Sequence, residues 1–269
     1  MASLTHMLQA YLPEPHAGLL AGLLFGIKTS VPQSLYEALV QTGTLHIIAL
    51  SGMNISILSG MMQRGMTPYV GRRVASVGTL FLIVAFVWFV GPSPSIVRAA
   101  IMGGLSLTAL ISGRQYWPIY SWVLAVVCML LIHPVWIGDI SFQLSALATF
   151  GIIVFGRTKE SFQHTPLSWK DAMKEMIRDD LHLTLAAQVC TVPLILWNFH
   201  RISLIAPLAN VLIGWAIAPL TGMGWITVFA GIIWRPLGQV SAWICWVFLE
   251  YIVRTVYLVS RIPGASFSM

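Results

Sequence analysis

Polar side chains able to bind a ligand or transfer a proton interrupt several strongly apolar stretches of this sequence. The first such stretch carries His46, Ser51, Gly52 and Asn54. Ser51 and Asn54 are three residues apart and therefore share a helix face, while Gly52 weakens the helix or admits a close neighbour. A serine or histidine needs a partner before it can act in catalysis, and neither His46 nor Ser51 has an aspartate nearby in the sequence. This pattern disfavours an intramembrane enzyme.

A second stretch places one arginine inside an apolar segment. Pro92 and Pro94 end one helix and begin the next, and Arg98 follows four residues into that next helix. An arginine at mid-bilayer costs roughly 2.5–3.5 kcal/mol on insertion scales, so it needs a compensating partner. The sequence offers two explanations. Arg98 either pairs with Asp139 or remains a fixed cation that faces an anionic substrate.

Two later stretches carry amides and hydroxyls. Gln143 and Ser145 follow Asp139 in one stretch, while Gln188 and, further on, Asn210 lie in or beside another. Such groups either bond neighbouring helices together or solvate a path through them, and spacing alone leaves both interpretations open. We predict that these amides and hydroxyls line a path.

The motifs that are missing restrict the chemistry. The sequence has no HExxH, GxSxG or Walker A motif and no clustered metal ligands, so we expect no catalytic residues, metal or cofactor. Acids inside apolar stretches are nearly missing, since only Glu250 and, at an edge, Asp139 occur there. Cation-coupled carriers use such acids as relays. A path with amides, hydroxyls and one arginine favours a polyanion.

The composition determines the fold class. Hydrophobic residues make up 57% of the 269 residues and charged residues only 9%, against about 25% charged in soluble domains. We therefore predict an all-α, polytopic helical membrane protein. Stretches long and apolar enough to span a bilayer number about nine. They cover residues 44–62, 74–91, 95–112, 119–137, 140–156, 181–198, 202–218, 220–234 and 239–260.

The chain divides into two predicted parts. Residues 1–43 form an interfacial or re-entrant segment, because their apolar run at 17–27 is too short to span. Residues 44–269 form the transmembrane domain, with a cytoplasmic polar loop at 157–180. If the first span ends in the cytoplasm, ten basic residues face inside and two, Arg201 and Arg235, face outside, in agreement with the positive-inside rule.

Several motifs in the same order resemble the competence domain of the ComEC family, the inner-membrane DNA-uptake channel of natural transformation. The resemblance extends across roughly residues 12–235. Asn54 departs from the pattern, because many members have histidine at this position. An amide cannot titrate, so Asn54 cannot transfer a proton as a histidine could. The matching pieces are 21–26, 42–52, 97–102, 141–145, and Ala187-Gln188 with the later Pro193, Phe199 and Ala209-Asn210.

The resemblance implies that the domain passes one DNA strand across the inner (cytoplasmic) membrane. It implies single-stranded DNA and the lipid bilayer as partners, together with a DNA receptor and an uptake ATPase or helicase. Members of the family also carry an OB-like and a metallo-β-lactamase-like domain, and we expect this chain to be the membrane core without them. Two alternatives stay open, an organic-anion or other small-molecule transporter and a non-conducting scaffold.

Overall fold

The computed structural model describes residues 2–27, 31–48, 52–156, 169–199, 201–203, 205–262 and 266–268. These residues form an all-α membrane protein, which confirms the predicted fold class. Two short 3-10 turns, at 45–47 and 134–138, and one pair of three-residue strands complete the described part. The helices are α1 (Ala2–Tyr11), α2 (His16–Phe25), α3 (Gln33–Gln41), α4 (Gly52–Val90), α5 (Pro94–Ser112), α6 (Pro118–Ile132), α7 (Ile140–Phe155), α8 (Trp169–Phe199), α9 (Ala206–Ile233) and α10 (Arg235–Ser260).

Helix α4 is a hairpin of two helical arms, 52–70 and 72–90. The backbone leaves the helical region at Gly71, whose φ of 78° is accessible to glycine at little cost. Gln63 on the first arm donates hydrogen bonds to the hydroxyls of Ser76 and Thr79 on the second, at 3.1 and 3.2 Å. The two arms therefore pack side by side as an antiparallel pair.

Helix α2 is buried along its whole length. Every residue from His16 to Phe25 is buried, and the helix packs among α1, α9 and α10. The Nε2 of His16 lies 2.8 Å from a carboxylate oxygen of Glu250 on α10, and Arg254 binds the other oxygen. This contact adds His16 to the ion pair that Glu250 and Arg254 form four residues apart on α10. The short apolar run thus lies inside the protein.

Five helical segments close a ring beside this core. In order they are the first arm of α4, α5, α7, α8 and α9, and α9 meets the first arm again. Beyond these five, α6 packs against α5 and α7, α2 and α10 pack against α9, and the second arm of α4 contacts α5 and α9. Contacts that join successive members of the ring are Gly52–Ala99, Arg98–Ser145, Gly151–Ala186, Asp180–Gly214 and Gly222–Met61.

The two strands show on which side the last helix ends. Strand β1 (Arg201–Ser203) follows α8, strand β2 (Ser266–Ser268) follows α10, and the two pair antiparallel. Both strands therefore lie on the same side of the membrane, and the chain between them crosses an even number of times. Helices α9 and α10 make these two crossings.

This topology corrects the end of the predicted one. Residues 206–233 form one continuous helix through Pro219, where the sequence suggested two segments. If the first span ends in the cytoplasm, Arg235 lies on the cytoplasmic side and Arg261 on the outer side, and the ten-to-two bias of basic residues is unchanged. Among the described residues, five helices are long and apolar enough to span, and one of them is the α4 hairpin. The count of nine spans is not confirmed.

Candidate functional site

Arg98, Ser145 and Gly52 come together where three members of the ring meet. The Nε of Arg98 donates to the hydroxyl of Ser145 on α7 at 2.9 Å. A methyl group added to Gly52 would lie 3.3 Å from an Nη atom of Arg98 and 3.0 Å from the Cβ of Ala99. The glycine therefore lets the first arm of α4 approach the guanidinium closely. Three of the predicted site residues thus form one cluster.

Among the described residues, the guanidinium of Arg98 has no carboxylate partner. Asp139 instead caps the first turn of α7, where it accepts hydrogen bonds from the backbone of Ser141 at 2.7 Å and Phe142 at 3.3 Å. Among the residues that the structure describes, no aspartate or glutamate lies within salt-bridge distance of Arg98. A half-buried cation with a hydroxyl partner can still attract an anion.

Gln143 does not join this cluster. Its Nε2 donates to the carbonyl oxygen of Ile137 at 2.7 Å, in the 3-10 turn that precedes α7. Gln143 and Ser145 are two residues apart on a helix and therefore point in different directions. We assign Gln143 to the support of this turn.

Asn54 faces α2 instead of the ring interior. Its side chain is 2% exposed, and its Nδ2 donates to the carbonyl oxygen of Leu23 at 2.6 Å. Leu23 lies in the last turn of α2, where carbonyl groups lack partners within the helix. Asn54 thus joins two helices as a packing contact.

Replacing Asn54 with leucine is expected to lower the free energy of unfolding by about 1–3 kcal/mol, because it leaves the carbonyl of Leu23 buried without a donor. Unfolding of the purified protein in detergent measures the change. Ser56→Ala on the same arm is the control, since Ser56 is exposed and bonds only to the backbone of its own helix. Equal stability of the two variants would contradict the packing role.

Gln188 lies on the face of α8 turned away from α7, and Asn210 lies on the face of α9 that meets α8. Ala186 and Cys190 of α8 point toward Gly151 of α7, and helix geometry turns Gln188 to the opposite side. Asn210 shares a face of α9 with Gly214, which lies beside the carboxylate of Asp180 on α8. Both amides are half-buried, and the Oδ1 of Asn210 accepts no hydrogen bond within the described residues.

The remaining two predicted site residues lie just before α4. His46 is exposed in the 3-10 turn, and its Nδ1 lies 3.3 Å from the carbonyl oxygen of Gly43. Ser51 is outside the described residues, so its predicted role stays a prediction. Within the part of the chain that the structure describes, no group of three His, Cys, Asp or Glu side chains has the geometry of a metal site.

Helices α5 and α8 are less buried than α9. Only 6% of the most apolar window of α5 and 11% of that of α8 are buried, against 50% for α9. Most side chains of α5 and of the apolar part of α8 are half-buried or exposed, as those of helices in contact with lipid also are.

Comparison with known proteins identifies the family. The family model described as competence protein matches residues 23–269, which is most of the chain.

The chain belongs to the competence protein family.

Three curated relatives agree with this membership. ComE operon protein 3 of Bacillus subtilis is 27% identical over 206 residues, which cover 75% of this chain and 25% of the relative. Recombination protein 2 of Haemophilus influenzae is 27% identical over 209 residues, which cover 72% of this chain and 26% of the relative. The uncharacterized protein YcaI of Escherichia coli is 28% identical over 224 residues, which cover 79% of this chain and 28% of the relative. The chain thus spans about a quarter of the length of these relatives. No solved structure was found to match it.

The family assignment places the cluster of Gly52, Arg98 and Ser145 inside the matched region. The sequence analysis missed two further polar residues of this region, Ser56 and Arg64, which are exposed on the first arm of α4. Ser56, Gly60 and Arg64 are spaced four residues apart and therefore share one helix face, which is the sequence feature that indicates them. Arg64 was interpreted only as a topology-determining charge.

Proposed function

We propose that this competence-family chain is the membrane channel domain through which one DNA strand crosses the cytoplasmic membrane in natural transformation. The observation that carries the proposal is the position of Arg98. The arginine lies in a ring of five helices, and its described partner is a serine hydroxyl instead of a carboxylate. Such a cation attracts phosphates at the mouth of the ring.

The mechanism follows from weak and distributed contacts. A conduit must bind its substrate well enough to admit it and weakly enough to release it. Arg98 supplies the attraction at the outer mouth, while hydroxyl and amide groups such as Ser145, Gln188 and Asn210 replace water around the strand. No bond is made or broken in this passage, so the domain acts as a conduit and not as an enzyme. A DNA receptor on the outer side and an uptake ATPase or helicase on the inner side would supply capture and energy.

Vesicles that contain the purified protein test this function. Labelled single-stranded DNA is added outside, nuclease then removes what has not entered, and the protected label is counted. We expect protection well above that of protein-free vesicles. Flux of a small organic anion without DNA entry would favour a transporter. Flux of neither the anion nor DNA would favour a scaffold. Either result would overturn the proposal.

A further inference from the structure

The first arm of α4 has an exposed face that extends along three of its turns. This inner face consists of Met53, Ser56, Gly60 and Arg64, which recur at helical spacing along three turns. Met53 is 40% exposed, and Ser56 and Arg64 are also exposed. At Gly60, no atom lies within 4 Å of the position that a Cβ would occupy.

Contacts on the other faces of the arm show where the inner face points. Gln63 bonds to the second arm, Asn54 bonds to α2, Gly52 meets α5, and Met61 meets α9. On a helical wheel these contacts cover the sides toward α5, the second arm, α2 and α9. The inner face occupies the remaining sector, between α5 and α9. That sector opens into the ring.

The composition of the two exposed faces of the hairpin supports this direction. Between residues 74 and 89, every exposed side chain of the second arm is apolar and most of them form one stripe, as on a surface in contact with lipid. The inner face exposes a serine, a glycine and an arginine, which are costly against hydrocarbon. The lipid-facing stripe of the second arm consists of Val74, Val77, Phe81, Val84 and Trp88.

The inner face connects two cations. Gly52 touches Arg98 at one end of the arm, and Arg64 lies 12 residues further along, at roughly 18 Å for a rise of 1.5 Å per residue. Arg64 lies seven residues before Gly71, where the hairpin turns. The ring therefore has an arginine toward each mouth, and a small, partly polar surface between them.

We propose that the inner face of the first arm is the wall along which the DNA strand passes, with Arg64 as the inner phosphate contact and Gly60 as the residue that keeps the path open. This inference rests on the proposed function. It assigns the substrate, a flexible polyanion, to a specific surface. A strand of several nucleotides would contact Arg98 and Arg64 at the same time.

A bulky substitution at Gly60 tests the path. Gly60→Trp is expected to reduce DNA entry into vesicles at least tenfold, because the indole projects into the ring interior. Gly65→Trp is the matched control, since Gly65 also has open space around it but lies 140° away on the helix. Gly60→Trp with normal DNA entry would overturn the inference, as would equal blockage by both variants. Gel-filtration profiles in detergent identify a variant that fails to fold.

Charge reversal tests the inner contact independently of bulk. Arg64→Glu is expected to reduce DNA entry at least fivefold and Arg64→Lys to restore most of it, while Arg73→Glu beyond the hairpin turn changes entry less than twofold. Normal entry with Arg64→Glu would overturn the assignment. If Arg98→Ala blocks entry while Gly60→Trp and Arg64→Glu do not, the inner face fails and the conduit stands. If wild-type vesicles admit no DNA, the proposed function itself fails.

Discussion

Replacing Arg98 with alanine is expected to reduce DNA uptake at least tenfold without reducing the amount of protein in the membrane. The guanidinium is the only positive charge in the cluster with Gly52 and Ser145, and its described partner is a neutral hydroxyl. Loss of about 1.4 kcal/mol of attraction for phosphates corresponds to a tenfold change in an equilibrium constant. Entry of labelled single-stranded DNA into vesicles measures the effect, and an immunoblot of the membrane fraction measures the amount of protein.

Two further substitutions separate charge from packing at this position. Arg98→Lys keeps the charge and is expected to retain most of the uptake, although it cannot reproduce the geometry of the guanidinium. Ser145→Ala removes the hydrogen bond but not the charge, so its effect is expected to stay below threefold. Normal uptake with Arg98→Ala would exclude Arg98 as the outer phosphate contact, and equal losses with all three variants would indicate a packing role.

Replacing Gly151 with valine is expected to lower the free energy of unfolding by about 3 kcal/mol and to abolish uptake. A Cβ at Gly151 would overlap the carbonyl oxygen of Ala186, which belongs to the backbone of α8 and cannot rotate away. Overpacking typically costs about 1–3 kcal/mol, and a fixed backbone obstacle leaves little room for relief. Helices α7 and α8 would move apart and open the ring. Unfolding in detergent followed by circular dichroism measures the stability.

The control for Gly151 lies on another member of the ring. Gly103→Ala adds a methyl group 3.6 Å from the Cδ1 of Ile83, an ordinary contact distance, so its stability is expected to match that of the wild type. Gly151→Ala places its methyl group against the carbonyl oxygen and is expected to destabilise measurably. If Gly151→Ala and Gly103→Ala unfolded alike, the close approach of α7 and α8 would have no energetic importance.

The helix boundaries were largely predictable because local signals mark them. The predicted segments 95–112 and 140–156 agree closely with α5 and α7. Pro94 begins α5, Gly113 ends it in a left-handed conformation, and Asp139 caps α7 with its carboxylate. Such caps depend on neighbouring residues only, so a sequence displays them directly.

Two errors had physical causes that lie beyond local sequence. Pro219 was expected to separate two segments, but α9 continues through it, since a membrane helix tolerates proline when its surroundings satisfy the freed carbonyl. Residues 44–62 were expected to be one span, yet the helix begins at Gly52 after a separate 3-10 turn at Leu45–Ile47.

The direction of each polar side chain was the least predictable feature. Asn54 and Arg98 both lie in apolar stretches, but Asn54 turns to α2 while Arg98 turns to Ser145. A sequence shows which residues share a helix face, but it does not show which neighbour that face meets. The same limit hid Ser56 and Arg64, whose common face was visible and whose orientation toward the ring was not.

Reaction of introduced cysteines with a charged, membrane-impermeant thiol reagent tests most directly whether the ring encloses a hydrated path. The three native cysteines, at 128, 190 and 245, are first replaced with alanine. We predict that cysteines replacing Ser56 and Ser145 react quickly with the reagent and that single-stranded DNA slows this reaction. Cysteines replacing Phe81 and Val84, on the lipid-facing stripe, are expected not to react. If Ser56 and Ser145 resisted the reagent as Phe81 and Val84 do, the ring would hold no such path and the conduit would be contradicted.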